Sequence, residues 1–192
     1  ISGGDYSDLY IVMCRTGDES TKGISSLIID KDADGLSFGA QERKMGWRAQ
    51  PTAQVIMDKC STPAENLLGN EGNGFHYAMM GLDGGRLNIA AAALGGAQAA
   101  YEKALTYSNE RKAFGRPIDN FQSVQFKIAD MYTQMNAARS YVYTVAKACD
   151  RGETTRKDAA GAILYAAELA TKMALDAIQI LGGNGYINEY AT

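Results

Sequence analysis

Residues 128–149 read IADMYTQMNAARSYVYTVAKAC. Ile128, Met131, Met135, Ala138, Val142, Val145 and Cys149 recur at three- and four-residue steps, which puts one apolar stripe along a helix. A stripe this long must be covered, so the neighbouring segments should be helices too. Downstream, Ile163, Ala167, Ala170, Ala174, Ala177 and Leu181 repeat the pattern. Only the short break at Asp150-Arg151-Gly152 separates the two, and so short a break predicts antiparallel neighbours. Upstream, Phe75, Met79, Leu82, Ala90, Leu94, Ala97, Tyr101 and Leu105 form a third stripe with one gap, ending at the break Phe114-Gly115-Arg116-Pro117. Three helices leave an up-down bundle incomplete. Gly182-Gly183-Asn184-Gly185 forces a turn, and a fourth helix is expected beyond the sequence in hand.

Before residue 70 the pattern changes. Leu9 to Cys14 and Ile24 to Ile29 are short apolar runs, parted by Thr16-Gly17-Asp18-Glu19-Ser20 and closed by Lys31-Asp32-Ala33-Asp34-Gly35. Leu36-Ser37-Phe38 and Ala53 to Met57 are further candidates. These runs are too short for helices and their spacing predicts antiparallel β-structure. The expectation is an α+β chain: an antiparallel β domain over 1–69, then a helical up-down bundle domain over 70–192. The start at Ile1-Ser2-Gly3-Gly4 reads as the interior of a strand or turn, which predicts a piece of a longer protein.

Composition narrows the function. The 192 residues are 46% hydrophobic and 21% charged, with net charge −3, an ordinary globular balance. An acidic chain without clustered Lys and Arg argues against nucleic acid or an anionic membrane as the main partner. No run of about 18 apolar residues predicts a membrane span. Cys14, Cys60 and Cys149 are far apart and His76 is the single histidine, so no metal site, disulfide framework or Cys–His pair is expected. His76, opening a helix, reads as solvated or packed rather than as a catalytic base.

Some residues resist a purely structural reading. Arg86 fills the gap in the first stripe, on the face expected to be buried, and Asp83 lies within reach one turn before it. Between them, Gly84 and Gly85 each cost a helix about 1 kcal/mol relative to alanine. Either a ligand approaches this backbone, anchored by Asp83 and Arg86, or two helices cross tightly over an internal ion pair. Arg111-Lys112-Ala113-Phe114-Gly115 reads as helix capping or as a phosphate anchor. In Gln179-Ile180-Leu181-Gly182-Gly183-Asn184-Gly185, a single glycine would suffice for a cap, whereas three allow successive N–H groups to face one anion. Gly69-Asn70-Glu71-Gly72-Asn73-Gly74 reads as the entry loop of the first helix.

Taken in order, Met45-Gly46-Trp47-Arg48-Ala49-Gln50-Pro51-Thr52, Gly81-Leu82-Asp83-Gly84-Gly85-Arg86, Asn109-Glu110-Arg111-Lys112-Ala113-Phe114-Gly115 and Gln179 to Gly185 resemble the acyl-CoA dehydrogenase family over essentially the whole chain. The first part is most similar to isobutyryl-CoA dehydrogenases. Ala129-Asp130-Met131-Tyr132, Tyr141-Val142-Tyr143 and Gly183 to Asn188 are more similar to isovaleryl-CoA dehydrogenases. The resemblance implies the family's middle β domain and C-terminal bundle, without its N-terminal helical domain. It implies FAD as cofactor, a short branched acyl-CoA as substrate, electron-transfer flavoprotein as electron acceptor and a homotetramer built as a dimer of dimers. It further implies α,β-dehydrogenation to the 2-enoyl-CoA in fatty-acid and branched-chain amino-acid catabolism, in a bacterial cytoplasm or mitochondrial matrix. In such enzymes a Glu removes the α-proton while the flavin takes the β-hydrogen as hydride.

Carried over residue by residue, the resemblance implies that Ile1 and Ser2 sit beside the flavin ring. Asp83, Gly84, Gly85 and Arg86 form the substrate-contacting turn. Arg111, the pair Phe121 and Gln122, and Gln179, Ile180, Leu181, Gly182 and Gly183 contact FAD, normally across a subunit interface. One branch carries its catalytic Glu at the position of Gly85; others carry it in a loop beyond the point matching Thr192. No catalytic residue is therefore expected within this chain, and the chain alone is expected to be inactive. Glu71, Glu102 and Glu110 read as solvated helix residues. A non-catalytic binding or assembly module of the same fold, and an acyl-CoA oxidase, remain the competing readings.

Overall fold

In the computed structural model, which describes residues 1–190, the runs Leu9–Arg15 (β1) and Ile24–Asp30 (β2) pair antiparallel from Leu9↔Asp30 to Arg15↔Ile24. A single 3-10 turn, Thr21–Gly23, joins them, with the Ser20 side chain accepting from the Lys22 N–H. Leu36–Phe38 (β3) pairs antiparallel with Val55–Met57 (β4). The predicted strands are therefore present, but they form separate two-stranded ladders. Tyr10, Ile29 and Ala53 are the buried apolar residues of this half, with the Tyr10 and Phe38 rings 5.3 Å apart. Ser25 and Ser26 are also fully buried, and the Ser25 hydroxyl accepts from the Gly72 N–H at 2.9 Å. A Cβ on Gly74 would lie 2.5 Å from the Ser25 carbonyl carbon, so only glycine can open the following helix there. The Gly69–Gly74 stretch is thus an entry loop, as its composition predicts.

By contacts the chain divides into two compact units, Ile1–Gly81 and Leu82–Thr192. The second contains three long helices: α1 (Gly74–Glu110, which begins in the first unit), α2 (Gln122–Asp150) and α3 (Arg156–Leu181). A 3-10 turn, Gly182–Tyr186, follows α3. Lys127 pairs with Asp176 and Gln134 with Lys172, so α2 and α3 run antiparallel. Arg139 donates to Gln98, and Tyr132 packs on Tyr101, so α1 and α2 are antiparallel as well. The order is up-down-up, as the short second break predicts. Thr155 and Asp158 close a reciprocal capping box at the start of α3.

The buried seams differ in detail from the predicted stripes. On α2, Met131, Met135, Ala138, Val142 and Val145 are buried as expected, but Ile128 is half-buried and Cys149 is exposed in the last turn. On α3 the buried face is Ala159, Ala162, Ala166, Leu169, Met173, Ala177 and Ile180, and Ala167 faces out. Alanines surround this helix, so the faces contrast weakly, and the larger Leu169 and Met173 decide which one is covered. On α1 the seam is Leu87, Ala90, Leu94, Ala97, Ala100 and Ala104; Phe75 and Leu82 are exposed, and Tyr101 and Leu105 half-buried. Leu87 thus takes the buried place expected for Arg86, which lies at the seam's margin. Between α1 and α2 the predicted plain break is a tight hairpin, Lys112–Ala113 (β5) with Arg116–Pro117 (β6). Its tip residues Phe114 and Gly115 have φ 52° and 81°, the positive values of a two-residue hairpin turn.

Candidate functional site

The end of α1 and the end of α3 meet at a hollow of about 310 Å³. Tyr107 and Arg111 come from α1 and its exit; Gly182, Gly183 and Asn184 come from the turn after α3; Ile118, Ile180 and Leu181 contribute the apolar lining. Arg111 is fixed through its main chain. Its N–H donates to the Tyr107 carbonyl at 2.8 Å, and its own carbonyl accepts from the Ile118 N–H at 2.9 Å. The side chain is exposed and makes no ion pair among the described residues. A guanidinium on a fixed main chain, without a carboxylate partner, is suited to a phosphate or diphosphate.

The three glycines of the turn have three different reasons. Gly182 adopts φ 60°, ψ −131°, a conformation side chains rarely adopt, and its N–H caps α3 by donating to the Gln179 carbonyl. Gly185 is excluded from bearing a Cβ by the Ile178 carbonyl oxygen, 2.5 Å away. Gly183 has neither constraint: a Cβ there meets no heavy atom within 4 Å. That position is bare and faces open space, and Arg111 in the same hollow is a donor of the kind a diphosphate, such as that of FAD, takes.

The other predicted cofactor residues divide. Ile180 and Leu181 are buried beneath the hollow, and Gln179 is exposed beside it. Phe121 and Gln122 start α2 and do not line the hollow; the Arg116 guanidinium sits 4.3 Å from the Phe121 ring centroid. Ile1 and Ser2 belong to the first unit, where Ser2 bridges to Thr52 and the Ile1 backbone nitrogen donates to the Ala53 carbonyl at 2.6 Å.

On α1, Asp83 and Arg86 form an ion pair one turn apart, each side chain about one-third exposed. Arg156, which opens α3, brings its Nε to 3.7 Å from the same Asp83 oxygen. Sequence spacing does not reveal this second partner, because 73 positions separate it from Asp83. A Cβ on Gly84 or Gly85 meets nothing within 4 Å. The tight helix crossing that would explain them structurally is therefore absent among the described residues. An open glycine pair beside a partly buried cation leaves the helix backbone accessible on that side, as it is at Gly95 and Gly96.

Glu71, Glu102 and Glu110 are exposed, as expected; Glu102 and Glu110 lie on α1, but Glu71 sits in the entry loop before it rather than on a helix. Hydrogen bonds from Ser20 and Thr155 hold Asp18 and Asp158, respectively, below the usual aspartate range. Both are surface turn or cap groups, so neither is a poised general base. Among the described residues no cluster of three or more His, Cys, Asp or Glu could hold a metal, and no helix is long and apolar enough to cross a membrane. The sequence reading missed Tyr107 and Asn184. Tyr107 lies one helical turn before Arg111, a spacing that would have flagged it.

Residues 1–60 match the model of the acyl-CoA dehydrogenase middle domain and residues 72–192 that of the acyl-CoA dehydrogenase C-terminal domain. A rice mitochondrial isovaleryl-CoA dehydrogenase is 50% identical over 172 residues, covering 90% of this chain and 42% of that protein. An isobutyryl-CoA dehydrogenase from Dictyostelium discoideum is 45% identical, covering 99% and 46%. The structure of butyryl-CoA dehydrogenase from Megasphaera elsdenii superposes with a TM-score of 0.95 at 42% identity, covering 99% of this chain and 50% of that one. The chain thus spans about half the length of the relatives it matches. Two family domains in the family's order, on the family's fold, leave one assignment: the chain belongs to the acyl-CoA dehydrogenase family.

Proposed function

We propose that the protein is an FAD-dependent acyl-CoA dehydrogenase that oxidises a short branched acyl-CoA to its 2-enoyl-CoA and passes the electrons to electron-transfer flavoprotein. The observation that carries this reading is the meeting of Arg111 and the Gly182-Gly183 turn in one hollow, from motifs far apart in the sequence. FAD, when bound, supplies the acceptor for hydride lost from the substrate β-carbon. Arg111 neutralises its diphosphate and Gly183 leaves room for it. Gln179, Ile180, Leu181 and Gly182 shape the turn, while Phe121 and Gln122 extend the contact toward the start of α2. Ile1 and Ser2 offer the backbone and hydroxyl that orient the flavin ring.

Asp83 and Arg86 anchor the acyl-CoA, and Gly84 and Gly85 let it approach the helix. The α-proton needs a carboxylate within hydrogen-bond reach. Gly85 cannot provide one, and the family resemblance implies that the base is a Glu in a loop beyond the point matching Thr192. In this reading the middle domain occupies 1–69 and the bundle domain 70–192. The active protein is a homotetramer, a dimer of dimers, and works in a bacterial cytoplasm or a mitochondrial matrix.

The test is dehydrogenation by the protein expressed from its native reading frame, followed with an artificial electron acceptor. Isobutyryl-CoA, isovaleryl-CoA, butyryl-CoA and palmitoyl-CoA form the panel. The branched substrates should give the highest kcat/KM. Bound flavin with no turnover on any of them would favour a non-catalytic module, and turnover coupled to oxygen alone would favour an oxidase.

A further inference from the structure

One contact ties the two sides of the hollow together. The Asn184 side-chain amide donates to the Tyr107 hydroxyl at 3.0 Å, across 77 sequence positions. The Tyr107 ring also meets the Tyr190 ring edge-on, with centroids 5.9 Å apart and planes at 89°. The main chain of the same residue accepts the Arg111 N–H. Tyr107 therefore holds Arg111 by its carbonyl and the glycine turn by its hydroxyl. The turn needs such a clamp. Glycines lose the most conformational freedom on ordering, and Gly182 and Gly183 have no neighbour against which a side chain could pack.

We propose that Tyr107 is a positioning residue for the cofactor: through its hydrogen bond with Asn184 it pre-orders the Gly182-Gly183 turn opposite Arg111, so that FAD binds without first having to order that turn. The proposal rests on the reading of the hollow as an FAD diphosphate site. Pre-ordering lowers the cost of binding, so its loss appears as weaker, faster-dissociating FAD rather than as altered chemistry once FAD is bound.

The experiment compares FAD affinity and dissociation rate in apo-protein reconstituted with FAD, for wild type, Tyr107→Phe, Asn184→Ala and the double variant. Flavin fluorescence is the readout, and the thermal midpoint of each FAD-free protein is measured beside it. Tyr107→Phe keeps the ring against Tyr190 and removes only the hydroxyl. Asn184→Ala breaks the same bond from the other side, so each variant checks the other. Each single variant should weaken FAD by about fivefold, in line with the loss of one hydrogen bond. The double variant should be no weaker than either, because both remove the same interaction. The FAD-free midpoints should stay together. Additive effects, or unchanged FAD affinity in Tyr107→Phe, overturn the positioning role while leaving the site assignment intact. Wild-type protein that binds no FAD overturns the site assignment itself and the positioning role with it.

Discussion

Gly84-Gly85 and Gly182-Gly183 both face open space, as Gly95-Gly96 does farther along α1, and the first two pairs do so in different ways. The first lies within a continuous helix of 37 residues, flanked by an ion pair between Asp83 and Arg86 on that same helix. The second lies where a helix has just ended, opposite an arginine from another element. A helix fixes every backbone group, so at the first pair omitting Cβ only clears space. At the turn, glycine must also supply a conformation, φ 60° at Gly182, and the partners must come from elsewhere. The lesson is that bare backbone on a helix makes a smooth wall for a ligand, whereas bare backbone after a helix makes a cradle that something else has to hold in shape. On that view the helix pair suits a substrate that comes and goes, and the turn suits a resident cofactor.

Substitutions at the two pairs should therefore have separable effects. The largest is expected from Gly182→Val, which forces a β-branched residue into a conformation costing about 2 kcal/mol. FAD content after gel filtration should collapse; full retention would show that the turn is not the cofactor cradle. Next, Arg86→Ala should lower kcat/KM for acyl-CoA by more than about tenfold, equivalent to about 1.4 kcal/mol, and leave FAD content unchanged. Unchanged kinetics with a lower melting temperature would make Arg86 a packing residue and remove the distinction between the pairs.

A smaller effect tests whether the rod carrying the cradle can be loosened at its far end. Thr155→Ala removes the α3 capping box and should cost about 1 kcal/mol in denaturant unfolding, without changing FAD affinity. The same box sets a pH dependence. Asp158 has a folded pKa below its ordinary value because Thr155 hydrogen-bonds the carboxylate. Its stabilisation is therefore complete above the unfolded aspartate pKa of about 3.9 and is lost as pH falls through the lower folded value. The acid limb of the stability curve should flatten in Thr155→Ala; an unchanged limb would remove the box as its cause.

Gly84→Ala sharpens the comparison most finely. With open space around the new methyl, the helix should gain about 0.5–1 kcal/mol. Acyl-CoA binding should weaken at the same time. A gain in stability with unchanged KM would mean that the bare helix wall serves no ligand.

The same two pairs show what the sequence makes legible. Asp83, Gly84, Gly85 and Arg86 are contiguous, so helical spacing alone relates them. The hollow required tertiary structure, since Asn184 and Tyr107 are brought together only when α1 and α3 pack. Arg156 at Asp83 was hidden for the same reason. The α2 stripe was readable because Met and Val stand against polar residues. The α3 stripe was misplaced because alanine occurs on every face. The hairpin at Phe114-Gly115 was read as a break, since two-residue strands are too short to show alternation.

The central claim, a flavin cradle and an acyl-CoA wall in one enzyme, is tested most directly by anaerobic titration of the FAD-loaded protein, expressed from its native reading frame, with isobutyryl-CoA or isovaleryl-CoA. The account predicts that the oxidised flavin absorbance bleaches with about one equivalent of substrate per flavin, and that Arg86→Ala shifts this titration to much higher substrate concentration. A flavin that stays oxidised with every acyl-CoA, or a protein that takes up no FAD at all, would contradict it.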